Sequence, residues 1–416
     1  MGTIAVVGAS LAGLHAAEAL RAGAAGGPGY DGQVVVVEAS PTLPPDRPPL
    51  SKQVLSGEWE LAQARLPLTD RLDDLSLDLR LGTAATSLSP ADADGRTLSL
   101  DDGSELQVEG VVLATGATVR HLPGPTLGGV HALRTGDDAL ALRADLDAGP
   151  ARVAVVGAGF IGAEVAATCR GRGLEVTLVE AAPAPMVRVL PTEVGSFVAD
   201  LHRDQGVDVR LGTGVDRLEA GDDGRVRAVH LADGSVVEAD VVVVGIGVVP
   251  STGWLDGSDL QLGNGVVCDA TMLAGPRVVA CGEVACWPNP HLGEEMRVEH
   301  WENAVEQGAH AGRRLLDELA GRPGTPFGPV PWFWSDQYDR KIQLAGRPAP
   351  TDEFVLVDGT VEERRFAALF RRGDRCTAVL GVNRPRQVMQ ARMKLAESLA
   401  WDDVAAIFAP KDEGAR

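Results

Sequence analysis

Cysteine is scarce in this 416-residue chain: the five residues at 169, 268, 281, 286 and 376 include no C-x-x-C pair. That absence excludes a local disulfide redox centre and structural zinc, so no metal site is expected. The thiols are read as small buried apolar groups in a reducing compartment. Long apolar runs are missing too, which leaves no candidate for a membrane span. No charged leader with a cleavage site precedes the first strand pattern, Ile4-Ala5-Val6-Val7, and Val6 stands where a myristoylation signal needs Ser or Thr. A cytoplasmic protein without membrane attachment is expected. Basic charge is also short, with 38 Lys and Arg against 58 Asp and Glu and a net charge of -20. Nucleic-acid binding, which needs a basic face, is therefore not expected.

What is present is an ordinary globular composition, 45% hydrophobic and 23% charged, in a chain long enough for about two to three domains. The chain repeats itself. Ile4 to Ala22 reads as strand, glycine turn and helix, and so does Val153 to Arg172. Each copy continues into an apolar strand ending in an acid, Val34–Glu38 and Val176–Glu180. Each then has an Asp-Gly turn between alternating runs, at Asp102-Gly103 and Asp233-Gly234, and a buried strand closing on glycine at Gly116 and Gly247. Gly116 lies 13 positions after Gly103, and Gly247 lies 13 positions after Gly234. Two tandem dinucleotide-binding units follow from this register, each a parallel sheet with a crossover helix and an added antiparallel hairpin.

Beyond the second copy, Arg277 to Cys281 reads as a strand and Val298 to Leu319 as a helix. The proline cluster from Pro323 to Pro331 marks a boundary. Glu353 to Val382 reads as antiparallel strands turning at Asp358-Gly359 and Gly373-Asp374. Helices are expected over Gln387 to Leu399 and near Val404. The expected class is α/β, two tandem Rossmann-like domains followed by a small C-terminal α+β domain. The boundaries are residues 1–117 with 248–325, then 118–247, then 326–416.

The first loop is Gly8-Ala9-Ser10-Leu11-Ala12-Gly13, with serine for the middle glycine; a small residue there still lets a pyrophosphate approach the amides at the helix N-terminus. Glu38, ending the next strand, can accept both ribose hydroxyls. The second loop, Gly157-Ala158-Gly159-Phe160-Ile161-Gly162, is complete and has Glu180 in the matching place. A tight strand-to-helix turn without a ligand is the alternative for either loop alone. Two copies, each with its acid, favour nucleotide binding. No Arg or Lys lies between Glu180 and Arg188 to receive a 2′-phosphate, so NADH is expected over NADPH.

Asp46-Arg47-Pro48-Pro49-Leu50-Ser51-Lys52, Ala114-Thr115-Gly116, Leu133-Arg134-Thr135, Cys281-Gly282-Glu283, Val298-Glu299-His300-Trp301-Glu302-Asn303 and Trp332-Phe333-Trp334-Ser335-Asp336-Gln337 resemble the FAD-dependent NAD(P)H:ferredoxin reductases of the putidaredoxin reductase and dioxygenase reductase type. This glutathione-reductase-like architecture would here carry no redox cysteine, since none lies between Ala39 and Leu61. The resemblance implies that FAD takes hydride from NADH and passes electrons to an iron–sulfur ferredoxin serving a haem monooxygenase or an aromatic-ring dioxygenase. A monomer or weak dimer is expected. Lys52, paired with Glu164, and Trp334 by the nicotinamide pocket are the implied catalytic residues; the alternatives are a solvated lysine, a first-turn helix acid and a core tryptophan.

The implied cofactor residues are Gly8, Ser10, Leu11, Ala12, Gly13, Glu38, Arg47, Lys52, Ala85, Thr115, Gly116, Arg134, Gly282, Glu283 and Trp301 for FAD. For the nicotinamide nucleotide they are Gly157, Gly159, Ile161, Gly162, Glu180, Arg188 and Gly247. Glu283 departs from the family's usual aspartate. An NADH oxidase or diaphorase, and a flavin-binding interaction protein with vestigial redox activity, are the competing functions. Between Arg313 and Lys394 stand 15 Lys and Arg against 10 Asp and Glu. This local surplus is either a docking face for an acidic ferredoxin or a set of arginines 364, 365, 371 and 372 paired with Glu362, Glu363 and Asp374.

Overall fold

The computed structural model describes residues 2–23, 28–92, 95–187 and 190–409. The chain divides into two compact units. One comprises Met1–Asp46, Arg65–Thr118 and Val248–Pro331; the other comprises Arg47–Ala64, Val119–Gly247 and Trp332–Arg416.

The first unit is built on a six-stranded sheet in the spatial order Leu273–Gly275, Val278–Ala280, Gly110–Leu113, Thr3–Val7, Gln33–Glu38 and Asp78–Leu81. All pairings are parallel except the first, which is antiparallel. Val34 to Val37 are 1% exposed or less, which is why this strand is a continuous β-branched run rather than an alternating one. The helix Leu11–Ala22 lies against the helix Trp301–Leu319. Their backbones come close because glycine faces alanine: a Cβ on Gly308 would lie 2.3 Å from the Ala12 carbonyl oxygen, and one on Gly312 2.5 Å from that of Ala16. Ala85–Leu88, Arg96–Leu100 and Glu105–Val108 form the attached antiparallel sheet.

The second unit repeats the plan. Its parallel sheet runs Asp208–Leu211, Glu175–Glu180, Arg152–Val156, Val241–Val244 and Val130–His131. Val215–Ala220, Val226–Leu231 and Val236–Glu238 form the matching antiparallel sheet. The same unit holds a five-stranded antiparallel sheet, ordered Trp332–Gln337, Arg340–Gly346, Arg375–Val382, Arg365–Arg372 and Glu353–Thr360, with helices Pro385–Glu397 and Trp401–Ala405. The expected α/β class with a C-terminal α+β part is what the chain adopts.

Two local expectations are corrected. Asp358-Gly359 is not a hairpin tip but lies inside the strand Glu353–Thr360, at a register shift between Leu356 and Asp358. Gly359 has φ +70 and a Cβ there would sit 2.2 Å from the Arg365 carbonyl oxygen; the glycine serves a bulge with close backbone approach. The turn falls at Val361 to Arg364, where the Arg364 amide donates to the Val361 carbonyl at 3.0 Å. The helix expected from Val298 begins at Trp301, because His300 at its N-cap is extended with ψ 145.

Candidate functional site

In the first unit three neighbouring strands end side by side at Val7, Leu113 and Ala280, so Gly8, Ala114 and Cys281 meet at the carboxyl edge of the sheet. Ligands of open α/β sheets bind at such an edge. Gly8 has φ +107, and a Cβ on it would lie 2.4 Å from the Ala114 carbonyl oxygen. A Cβ on Gly13 would lie 1.9 Å from the Gly8 carbonyl oxygen, and one on Gly282 2.9 Å from the Ala12 Cβ. Gly8, Ala12, Gly13, Ala114 and Gly282 are thus brought together by close packing that excludes side chains. Ser10 is the N-cap of the helix Leu11–Ala22, but its hydroxyl makes no capping hydrogen bond.

The second unit repeats this geometry. Gly157 has φ +100 and a Cβ there would meet the Gly245 carbonyl oxygen at 2.4 Å; one on Gly162 would meet the Gly157 carbonyl oxygen at 1.9 Å. A Cβ on the N-cap residue Gly159 would meet nothing within 4 Å. The middle glycine is therefore not required by packing and leaves open space over the helix N-terminus. Ile161 is 49% exposed at the same end. These bare helix N-termini fit pyrophosphate groups.

The two acids are also equivalent. Glu38 accepts from the Ala9 amide at 2.8 Å and the Ser40 amide at 2.9 Å. Glu180 accepts from the Ala158 amide at 2.8 Å and the Ala182 amide at 2.9 Å. Each carboxylate ties its glycine loop to the end of the neighbouring strand and keeps further lone pairs for hydroxyl donors.

Other expected residues are placed as follows. In the first unit, Thr115 Oγ1 donates to the Ser251 carbonyl at 2.9 Å, and the Ser251 amide donates to the Gly116 carbonyl at 3.0 Å. The Gly282 amide donates to Gln307 Oε1 at 2.7 Å, and Glu283 is half-buried in the following turn. Trp301 Nε1 donates to Asp46 Oδ1 at 2.8 Å. Ala85 opens its strand, half-buried. Arg47, Arg134 and Gly247 belong to the second unit; Arg134 precedes the Thr135 N-cap, its amide donating to Asp138 at 3.0 Å. Arg188 lies outside the described residues.

Lys52 and Glu164 meet. Prolines 48 and 49 lead into a π-helical turn, Leu50–Val54, in which the Val54 amide donates to the Pro49 carbonyl five residues back at 3.0 Å. The wide turn lets consecutive side chains reach one carboxylate: Ser51 Oγ donates to Glu164 Oε2 at 2.5 Å and Lys52 Nζ at 2.7 Å. Glu164 is 3% exposed. The helix Phe160–Gly171 and the residue after it hold this segment through a spacing of four. Below Glu164, Thr168 Oγ1 donates to the Ser51 carbonyl at 2.7 Å and Arg172 Nη1 to the Leu55 carbonyl at 2.8 Å.

A third donor, Ser335 Oγ, reaches Glu164 Oε1 at 2.9 Å. The strand Trp332–Gln337 alternates, burying Phe333, Ser335 and Gln337 on one side. Trp334 is on the other side and stacks on Trp332 with ring centroids 5.5 Å apart. Ser51, Thr168, Arg172, Ser335 and Gln337 were missed as site residues by sequence reasoning, although Ser51, Ser335 and Gln337 fall inside quoted motifs. All five cysteines are buried thiols outside any disulfide. Burial pushes the thiols of Cys169, Cys281 and Cys376 up to about 12, so they are inert as nucleophiles. Among the described residues no cluster could hold a metal, and no helix is long and apolar enough to cross a membrane.

The chain belongs to the pyridine nucleotide-disulphide oxidoreductase family, which residues 2–308 match, and residues 332–411 match the reductase C-terminal family. It is 37% identical over 400 residues to rhodocoxin reductase of Rhodococcus erythropolis, covering 95% of this chain and 90% of that protein. The ferredoxin–NAD(+) reductase component of the anthranilate 1,2-dioxygenase system of Burkholderia cepacia is 37% identical over 395 residues, covering 94% and 93%. The structure is similar to that in the covalent putidaredoxin reductase–putidaredoxin complex, with a TM-score of 0.86, 32% identity and coverage of 95% and 93%.

Proposed function

We propose that this protein is an NADH-dependent, FAD-containing ferredoxin reductase that passes electrons from NADH to an iron–sulfur ferredoxin serving an oxygenase. The observation that carries the reading is the Lys52–Glu164 ion pair on the helix that opens from the second glycine loop, with no cysteine among residues 39–61. FAD, when bound, supplies hydride acceptance and the release of single electrons.

The chain's own residues bind, orient and tune. The first loop, Gly8 to Gly13, would hold the FAD pyrophosphate at bare amides. Glu38 would take the adenosine ribose. Arg47, Ala85, Thr115, Gly116, Arg134, Gly282, Glu283 and Trp301 would line the remainder. Residues 157–162, Glu180 and Gly247 would hold NADH, and Trp334 would border the nicotinamide. This assigns residues 1–117 and 248–325 to FAD, 118–247 to NADH and 326–416 to the C-terminal domain. Lys52, held by the buried carboxylate of Glu164, would offer a cation to stabilise negative charge on the bound FAD.

Purified protein is expected to be yellow with non-covalent FAD and to reduce ferredoxin with NADH faster than it consumes oxygen. Colourless protein that stays inactive after FAD addition refutes the reading. Turnover with oxygen alone that exceeds turnover with ferredoxin would assign an oxidase or diaphorase instead.

A further inference from the structure

The hydrogen bonds at Glu164 do not end at Ser335. Ser335 Oγ accepts from Gln337 Nε2 at 3.1 Å. Gln337 Oε1 lies 3.2 Å from His202 Nε2, and His202 Nδ1 lies 2.8 Å from the Tyr338 hydroxyl. Ser335, Gln337 and His202 are all 0% exposed. The links span the helix Thr192–Asp204, the strand Trp332–Gln337 and the helix Phe160–Gly171.

The order of donors is set by chemistry. An ionised carboxylate only accepts, so Ser335 must donate to it and must therefore accept from the Gln337 amide nitrogen. The Gln337 amide oxygen then faces His202, which must present Nε2–H, leaving Nδ1 bare to accept from Tyr338. Reversing any link reverses them all: His202 would carry its proton on Nδ1, the amide would turn over, and Ser335 would donate to Gln337. The Ser335 lone pairs would then face the carboxylate of Glu164, an arrangement a buried charge does not tolerate.

We propose that His202, acting through Gln337 and Ser335, is a positioning residue for the Lys52–Glu164 pair, its Nε2–H tautomer fixing the third hydrogen bond that holds Glu164 as an acceptor for Lys52. This rests on the ferredoxin reductase reading. Burial independently keeps the ring neutral, lowering its pKa to about 4 against the hydrogen bond that the ring donates to Gln337. The helix of His202 takes no part in either glycine loop, so the dependence is one of orientation.

The test uses the FAD-loaded protein. Ring nitrogen shifts from long-range proton–nitrogen NMR, with the His202 signal among the eight histidines identified by its loss in His202→Phe, are expected to show the Nε2–H tautomer. In anaerobic single-turnover reduction, His202→Phe, which fills similar volume without the donor, is expected to slow flavin reduction about tenfold with NADH affinity unchanged. His202→Gln, whose amide can replace Nε2–H, should recover most of the rate. Should His202→Phe not fold, Tyr338→Phe removes only the half-exposed end of the chain, leaves the tautomer pinned by Gln337 but the ring less firmly held, and is expected to slow reduction about threefold. An Nδ1–H tautomer in the wild type, or an unchanged rate in both phenylalanine variants, overturns the proposal. Lys52→Met run in parallel separates the two failures. If it is also unchanged, the functional reading falls; if it alone is slow, only the role of His202 does.

Discussion

A carboxylate at the end of a strand can serve two clients, and in the proposed function Glu180 would do so. Its contacts to the amides of Ala158 and Ala182 use part of its acceptor capacity, and the remainder would accept from the ribose of NADH and repel a 2′-phosphate. Steady-state kinetics should give a kcat/KM for NADH about tenfold or more above that for NADPH, since charge-assisted hydrogen bonds contribute about 1.5 to 3 kcal/mol each. Equal efficiencies would contradict the assignment. Lys52→Met and Glu164→Gln should slow flavin reduction more than they weaken NADH binding, because in the proposed function the pair would act on charge that develops during transfer; a raised Kd with an unchanged rate would make the pair structural. His202 adds a stability signature. Its pKa falls from 6.5 to about 4 through burial, so between these values the unfolded chain binds a proton that the folded chain does not. Stability present above pH 6.5 is lost as pH falls, by roughly 1.4 kcal/mol per pH unit attributable to this ring. Urea unfolding at pH 7 and pH 5 should show a smaller difference for His202→Gln than for the wild type.

Among the elements, the strand–glycine–helix repeats were legible because their demands are local: apolar runs, glycines where a Cβ would strike a carbonyl, and an acid at a fixed distance. The contact of helices Leu11–Ala22 and Trp301–Leu319 was not, since Gly308 and Gly312 read only as helix residues until Ala12 and Ala16 face them. Gly308→Ala pushes a Cβ to 2.3 Å from the Ala12 carbonyl oxygen; overpacking of that kind costs about 1 to 3 kcal/mol. A lowered melting temperature with reduced FAD retention is the expected result, and an unchanged Tm would show that the helices separate freely. Asp358-Gly359 shows the opposite error, a turn signal used for a bulge within a strand. Lys52 and Glu164 were found through the family motif. Their supports were not, because Ser335 lies 171 residues from Glu164 and His202 lies 135 from Gln337, and no local periodicity marks such partners.

For the whole molecule, the repeat announced the duplicated domains, whereas the return of residues 47–64 to the second unit carries no compositional sign. The basic surplus of the C-terminal third is partly consumed by ion pairs. Arg364 pairs with Asp204, Arg372 with Asp352 and Arg384 with Asp358, while Arg371 lies over the Trp401 ring at 4.8 Å. Arg365 and Arg386 stay exposed. If an acidic ferredoxin docks there, its reduction should fall steeply with ionic strength while NADH-to-ferricyanide turnover barely changes; matching shallow dependences would place docking elsewhere. The order of electron flow, from NADH through FAD to ferredoxin, decides the proposed function. Anaerobic stopped-flow mixing of the FAD-loaded protein with NADH, followed by mixing with an oxidised iron–sulfur ferredoxin, tests it directly. The expected result is rapid bleaching of the flavin by NADH and its recovery as the ferredoxin is reduced one electron at a time. Slow or absent bleaching, or a flavin that ferredoxin leaves reduced while oxygen reoxidises it, would contradict it.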